Sequence, residues 1–114
     1  MKKLFALILL VAFVFMNVAC SDEPPSIRVK NERTNKANVQ IKQTNGNTIN
    51  INDVAGGATT PYREIVEGAT IATAVIQNEQ DAPSASFTTY LNKNYTVVIT
   101  SSNPATLRID SSDK

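Results

Sequence analysis

The chain has 114 residues, with 11 Lys and Arg against 10 Asp and Glu, one Cys, no His and no Trp. A single cysteine excludes a disulfide within the chain, and the absence of histidine removes the usual base for a Ser or Cys nucleophile and the usual nitrogen ligand for zinc. Beyond Lys2-Lys3 the basic residues are scattered without a run, so no nucleic-acid footprint is expected.

The first elements in chain order form a leader. Lys2 and Lys3 supply a positive start, residues 4–16 an unbroken apolar stretch, and Asn17-Val18-Ala19 a short processing segment before Cys20. The apolar stretch is 13 residues long, short of the roughly 20 needed for a spanning helix, so the pattern reads as a signal helix. With Ala19 before Cys20, the segment resembles a bacterial lipoprotein signal, although Asn17 stands where that pattern usually has Leu. The resemblance implies removal of residues 1–19 and acylation of Cys20, which anchors the protein to a membrane. Ordinary signal cleavage and an uncleaved anchor are the competing readings. Loss of Lys2 and Lys3 with the leader leaves nine basic against ten acidic residues.

Ser21 after the cysteine is not the Asp of an inner-membrane retention signal, which implies outer-membrane sorting. Ser21-Asp22-Glu23 also resembles a short acidic signal that exports lipoproteins to the cell surface in some Gram-negative groups. The plainer reading makes residues 20–26, with two acids and Pro24-Pro25, a solvated extended spacer between lipid and domain.

From residue 27 onward the apolar positions recur with period two. Strands are expected at 27–30, 38–42, 48–53, 60–65, 71–76, 86–90, 95–100 and 106–109, rich in Val, Ile, Thr and Tyr. Turn signals separate them: Asn45-Gly46, Gly56-Gly57, Glu67-Gly68, the segment 81–84, Asn92-Lys93-Asn94 and Asn103-Pro104. Asn45-Gly46 predicts a two-residue type I′ hairpin, with Val39 and Ile41 on one face and Asn38, Gln40 and Lys42 on the other; Ile49 and Ile51 should oppose Asn50 and Asn52. Residues 71–76, Ile-Ala-Thr-Ala-Val-Ile, predict a central strand covered on both faces. Seven or eight short antiparallel strands imply an all-β sandwich over residues 27–110, with a polar tail at 111–114.

With those strands placed, the chain resembles a recurring bacterial β-sandwich domain found singly or in tandem in secreted and surface-anchored proteins. The likeness rests on residues 27–31, Val39-Gln40-Ile41, Gly56-Gly57 followed by Tyr62, Gly68 before Ile71, and Phe87, Leu91 and Tyr95-Thr96-Val97-Val98. It implies an immunoglobulin-like or prealbumin-like fold, and a fold does not by itself give a function.

No catalytic constellation is expected. Glu64 with Glu67 or Asp53 forms only a formal carboxylate pair, and Asp81, or Asp110 with Asp113, lacks the spacing of a calcium loop. No metal or cofactor is therefore expected, and the protein is read as a non-enzyme. Tyr62 and Tyr90 are the candidate ligand-binding residues, each a flat apolar ring with a polar tip, while Tyr95 is read as an interior or corner tyrosine. The expected function is a lipid-anchored envelope protein on the outer membrane, exposed at the cell surface, that binds a protein or polysaccharide. The alternative is a structural accessory subunit of an outer-membrane or periplasmic assembly.

Overall fold

The computed structural model describes residues 21–114; the expected signal helix and Cys20 lie outside the described residues. Eight strands follow in order: β1 (Ser26–Asn31), β2 (Ala37–Lys42), β3 (Thr48–Val54), β4 (Arg63–Glu64), β5 (Gly68–Ile76), β6 (Ser84–Thr89), β7 (Lys93–Ile99) and β8 (Leu107–Asp113). They form two four-stranded sheets, one ordered β4-β1-β7-β8 and the other β3-β2-β5-β6, and so the small all-β sandwich expected from the period-two pattern. The chain alternates between the sheets, which interlocks them.

The inner faces meet in one core. Ile27 and Val29 of β1 and Val97 and Ile99 of β7 face Val39 and Ile41 of β2 and Ala72, Ala74 and Ile76 of β5, all buried. Each fully buried Val or Ile contributes roughly 1.5–3 kcal/mol relative to exposure. Among the described residues every deeply buried side-chain polar atom has a hydrogen-bond partner. Asn31, fully buried, donates from Nδ2 to Asn35 O at 2.8 Å and Val54 O at 3.1 Å, and its Oδ1 accepts from Arg33 N at 3.0 Å.

Five sequence expectations are corrected. β1 pairs with β7 in parallel, from Ser26 opposite Asn94 to Asn31 opposite Ile99, whereas all other pairings are antiparallel. Parallel neighbours need a long crossover, and most of the domain lies between these two strands. The β2–β3 hairpin has the predicted faces, but its turn is a three-residue loop. Gly46 N donates to Gln43 O at 3.0 Å and Gln43 N to Asn47 O at 2.9 Å, and within the turn only Gly46 has positive φ, at 88°. This is a type I turn closed by a glycine bulge rather than type I′. Further along the hairpin the register shifts opposite Asn38, where Asp53 takes φ 56° and its N–H bonds Asn38 Oδ1 at 2.8 Å.

The strand expected at 60–65 shrinks to the two residues of β4, because Pro61 has no N–H to give the ladder. The segment still tracks β1: Thr60 N donates to Val29 O at 2.9 Å, and Val29 N to Thr60 Oγ1 at 3.0 Å. The polar tail at 111–114 is largely strand, since Ser111, Ser112 and Asp113 continue β8 opposite Tyr95, Asn94 and Lys93. Lastly, the strand covered on both faces is β7, whose residues 95–99 are all buried, and not β5, where Ile71 and Val75 remain exposed.

Candidate functional site

The two outer faces of the sandwich differ in the residues that the registers line up. On the β4-β1-β7-β8 sheet, Arg28, Thr96 and Asp110 form one cross-strand row and Lys30, Val98 and Arg108 the next. Lys30 and Arg108 flank Val98 across the ladder, and Val98 is 0% exposed on an outward face. Arg108 bonds Asp110 from Nε at 2.9 Å, a charge-assisted hydrogen bond that holds the Asp110 carboxyl below its usual range. On the other sheet the rows read Asn50, Gln40, Thr73, Ser84 and Thr48, Lys42, Ile71, Ser86: almost uncharged, with short side chains.

Tyr62 belongs to the charged face. It follows Pro61 on the strip that runs beside β1, is 41% exposed, and carries the Arg28 guanidinium over its ring at 4.6 Å from the centroid. Arg28 Nε is fixed by Thr96 Oγ1 at 3.0 Å. Among the described residues no carboxylate forms an ion pair with Arg28. Arg28, Lys30, Tyr62 and Thr96, with Asp110, Ser111 and Ser112, line a shallow cleft of about 210 Å³. The arrangement offers two cations, an aromatic ring and hydroxyls, and its one carboxylate, Asp110, is paired with Arg108, which leaves chemistry suited to a carboxylate-bearing ligand.

Tyr90 stands elsewhere, at 58% exposure on the turn from β6 to β7, so the two candidate tyrosines do not form one site. Tyr95 is buried against Phe87, with ring centroids 6.0 Å apart, and its hydroxyl accepts from Tyr90 N at 2.8 Å, the corner role expected of it.

The acidic residues after Cys20 have a defined setting. Asn92, at φ 63°, accepts at Oδ1 from Glu23 N (2.8 Å) and donates from Nδ2 to Asp22 Oδ1 (3.1 Å), while its own N–H donates to Glu23 O (2.8 Å). Lys114 Nζ donates to Pro24 O at 2.8 Å and lies 3.7 Å from Glu23 Oε2. Pro25 is buried and its carbonyl accepts from Ile65 N at 2.9 Å. The expected solvated spacer over 20–26 is thus corrected for residues 22–25, which are fastened to the domain. The signal was the carboxamide of Asn92 in a turn, where short polar side chains bond nearby backbone.

Sequence reasoning missed two further features. Arg33 staples the loops at the opposite end: Nε and Nη2 bond the Glu79 carboxylate at 2.8 and 2.5 Å, and Nη1 bonds Thr100 O and Ser102 O, each at 2.8 Å. A cleft of about 450 Å³ runs over the nearly neutral sheet, where Ala69 and Ile71 lie between Lys42 and Thr44 on one side and Ser86 and Thr88 on the other. A small residue between longer ones on neighbouring strands was its only trace in the sequence.

The acids named in the sequence do not converge. Asp113 pairs with Lys93 at 2.7 Å and Asp53 with Lys36 at 3.7 Å, and among the described residues no group of three acid, Cys or His side chains could hold a metal.

Fold and surface together define a small two-sheet β-domain with one charged and one nearly neutral face. It is similar to the NMR structure of a protein from Eubacterium rectale, at TM-score 0.60 and 15% sequence identity over 81% of this chain and 91% of that one, a likeness of fold alone. No protein-family model and no curated protein matches the sequence.

Proposed function

We propose that the chain is a lipoprotein of the Gram-negative envelope, acylated at Cys20, sorted to the outer membrane and exported through Ser21-Asp22-Glu23 to the cell surface, where its β-sandwich acts as a non-enzymatic binding module. One observation carries this reading: the basic and apolar leader ends in Ala19-Cys20, and the folded domain takes up the chain almost at once, with Glu23 already hydrogen-bonded to Asn92. Two or three acyl chains on Cys20 give stable anchoring at about 0.8 kcal/mol per buried methylene. The Arg28–Tyr62 patch favours an acidic polysaccharide as ligand. The accessory-subunit reading draws on β8, an edge strand able to pair with a partner's strand.

Metabolic palmitate labelling combined with protease shaving of intact cells tests the reading. Wild type should be labelled and shaved, Cys20→Ser unlabelled and released, and the Asp22→Ala, Glu23→Ala double variant labelled but protected. Full membrane retention of Cys20→Ser would sink the anchor, and protection of labelled wild type would move the protein to the periplasmic face. For the ligand, soluble polygalacturonate should bind wild type and lose at least about ten-fold in affinity with Arg28→Gln, the loss of one charged hydrogen-bonded contact.

A further inference from the structure

We infer that the end of the sandwich at the β6–β7 turn is the surface that lies against the lipid bilayer, with the Arg33-stapled loops held outermost. This rests on the acylation of Cys20 proposed above.

Chain reach carries the argument. Extended chain spans at most about 3.6 Å per residue, so Asp22 lies within roughly 7 Å of the Cys20 Cα and Glu23 within roughly 11 Å. A free spacer running to Ser26 would double that distance and let the domain tumble. Instead Asn92 holds residues 22 and 23 through two side-chain hydrogen bonds and one backbone bond, Lys114 holds Pro24, and Pro25 is buried. The strand directions put the β2–β3 turn, Val66 and Glu67, and Asp113 and Lys114 at this same end. Strands of six to nine residues make the sandwich about 20–30 Å tall, so the loops at Arg33 and Glu79 stay beyond reach of the headgroups while the clasp is closed.

The clasped end also has a composition suited to that position. Tyr90 is 58% and Val66 36% exposed there, and tyrosine places an apolar ring and a polar tip at headgroup depth. Lys93 is held by Asp113, and Lys114 lies beside Glu23, so contact rests on the apolar and hydrogen-bonding groups rather than on a cationic patch. The acyl chains supply affinity, and this end supplies orientation.

The test uses full-length acylated protein in phosphatidylethanolamine and phosphatidylglycerol vesicles that carry nitroxide-labelled headgroups. A fluorophore is attached at Glu67→Cys, on the clasped end, or at Ser101→Cys, on the far loops; the acylated Cys20 thiol does not react. Quenching should be at least three-fold stronger at position 67 than at 101. Asn92→Gly keeps the positive-φ backbone and removes both side-chain bonds, and should cut that difference by half or more. Equal quenching at the two positions in the otherwise unaltered protein overturns the inference. Palmitate content of Cys20, measured before reconstitution, separates this from a failure of the lipoprotein reading: its absence overturns both.

Discussion

Val98 and Val75 occupy comparable places, each on an outward face of an inner strand, yet Val98 is fully buried and Val75 is 58% exposed. The difference lies in their cross-strand neighbours. Lys30 and Arg108 stand beside Val98 across the ladder, each with a methylene stem long enough to cover it, whereas Asn38, opposite Val75, is too short to cover a neighbour. Long charged neighbours accompany a dry outward position on one face, and short polar ones a wet position on the other.

The largest effect that would break this comparison comes from replacing each valine by threonine, which keeps shape and adds a hydroxyl. Val98→Thr should destabilise by about 1–3 kcal/mol, because the hydroxyl is buried between apolar stems, and Val75→Thr by less than about 0.5 kcal/mol. Chemical denaturation of both variants checks it, and equal losses would mean that the stems exclude no water.

Because the neutral face contributes little packing of its own, its sheet depends more on the hairpin that registers β2 against β3. Gly46→Val should cost about 1–2 kcal/mol; no atom lies within 4 Å of the added Cβ, so the whole loss is the strain of a β-branched residue at φ 88°. An unchanged Tm would remove that turn from the stability argument. Lys30→Ser, which shortens one stem while keeping a polar tip, should cost about 0.5–1 kcal/mol, against no measurable change for Lys42→Ser on the neutral face.

The smallest effect concerns pH. Hydrogen bonding to Lys93 and Arg108 lowers the Asp113 and Asp110 pKa values. Each carboxylate therefore stabilises the fold above its unfolded value of about 3.9, and the contribution is lost as pH falls through the lower folded value. Both pairs are solvent-exposed, so an Asp110→Asn, Asp113→Asn double variant should show only a slightly flatter acid limb below about pH 4. A steeper limb in that variant would contradict the assignment.

Much of the candidate surface was legible in part. Tyr62 and Tyr90 could be named as exposed aromatics, but nothing local joined Tyr62 to Arg28, 34 positions earlier, because that contact arises from the strip beyond Pro61 folding back along β1. Arg33 was one basic residue among many until three loops met around it.

The sequence by itself determined the all-β class, the strand positions to within a few residues, the buried faces of β2 and β3 and the interior role of Tyr95. Period-two alternation and turn residues are local, and one buried face is enough to impose them. Only the tertiary structure decided that β1 runs parallel to β7, that β7 rather than β5 is covered on both faces, and that residues 22–25 are fastened to the domain, Asp22 and Glu23 by Asn92, Pro24 by Lys114 and Pro25 by Ile65. Each of these depends on which distant segment arrives as a neighbour. The energy of a hydrogen bond or a covering stem is set by that partner, and no stretch of chain carries its partner's identity within itself.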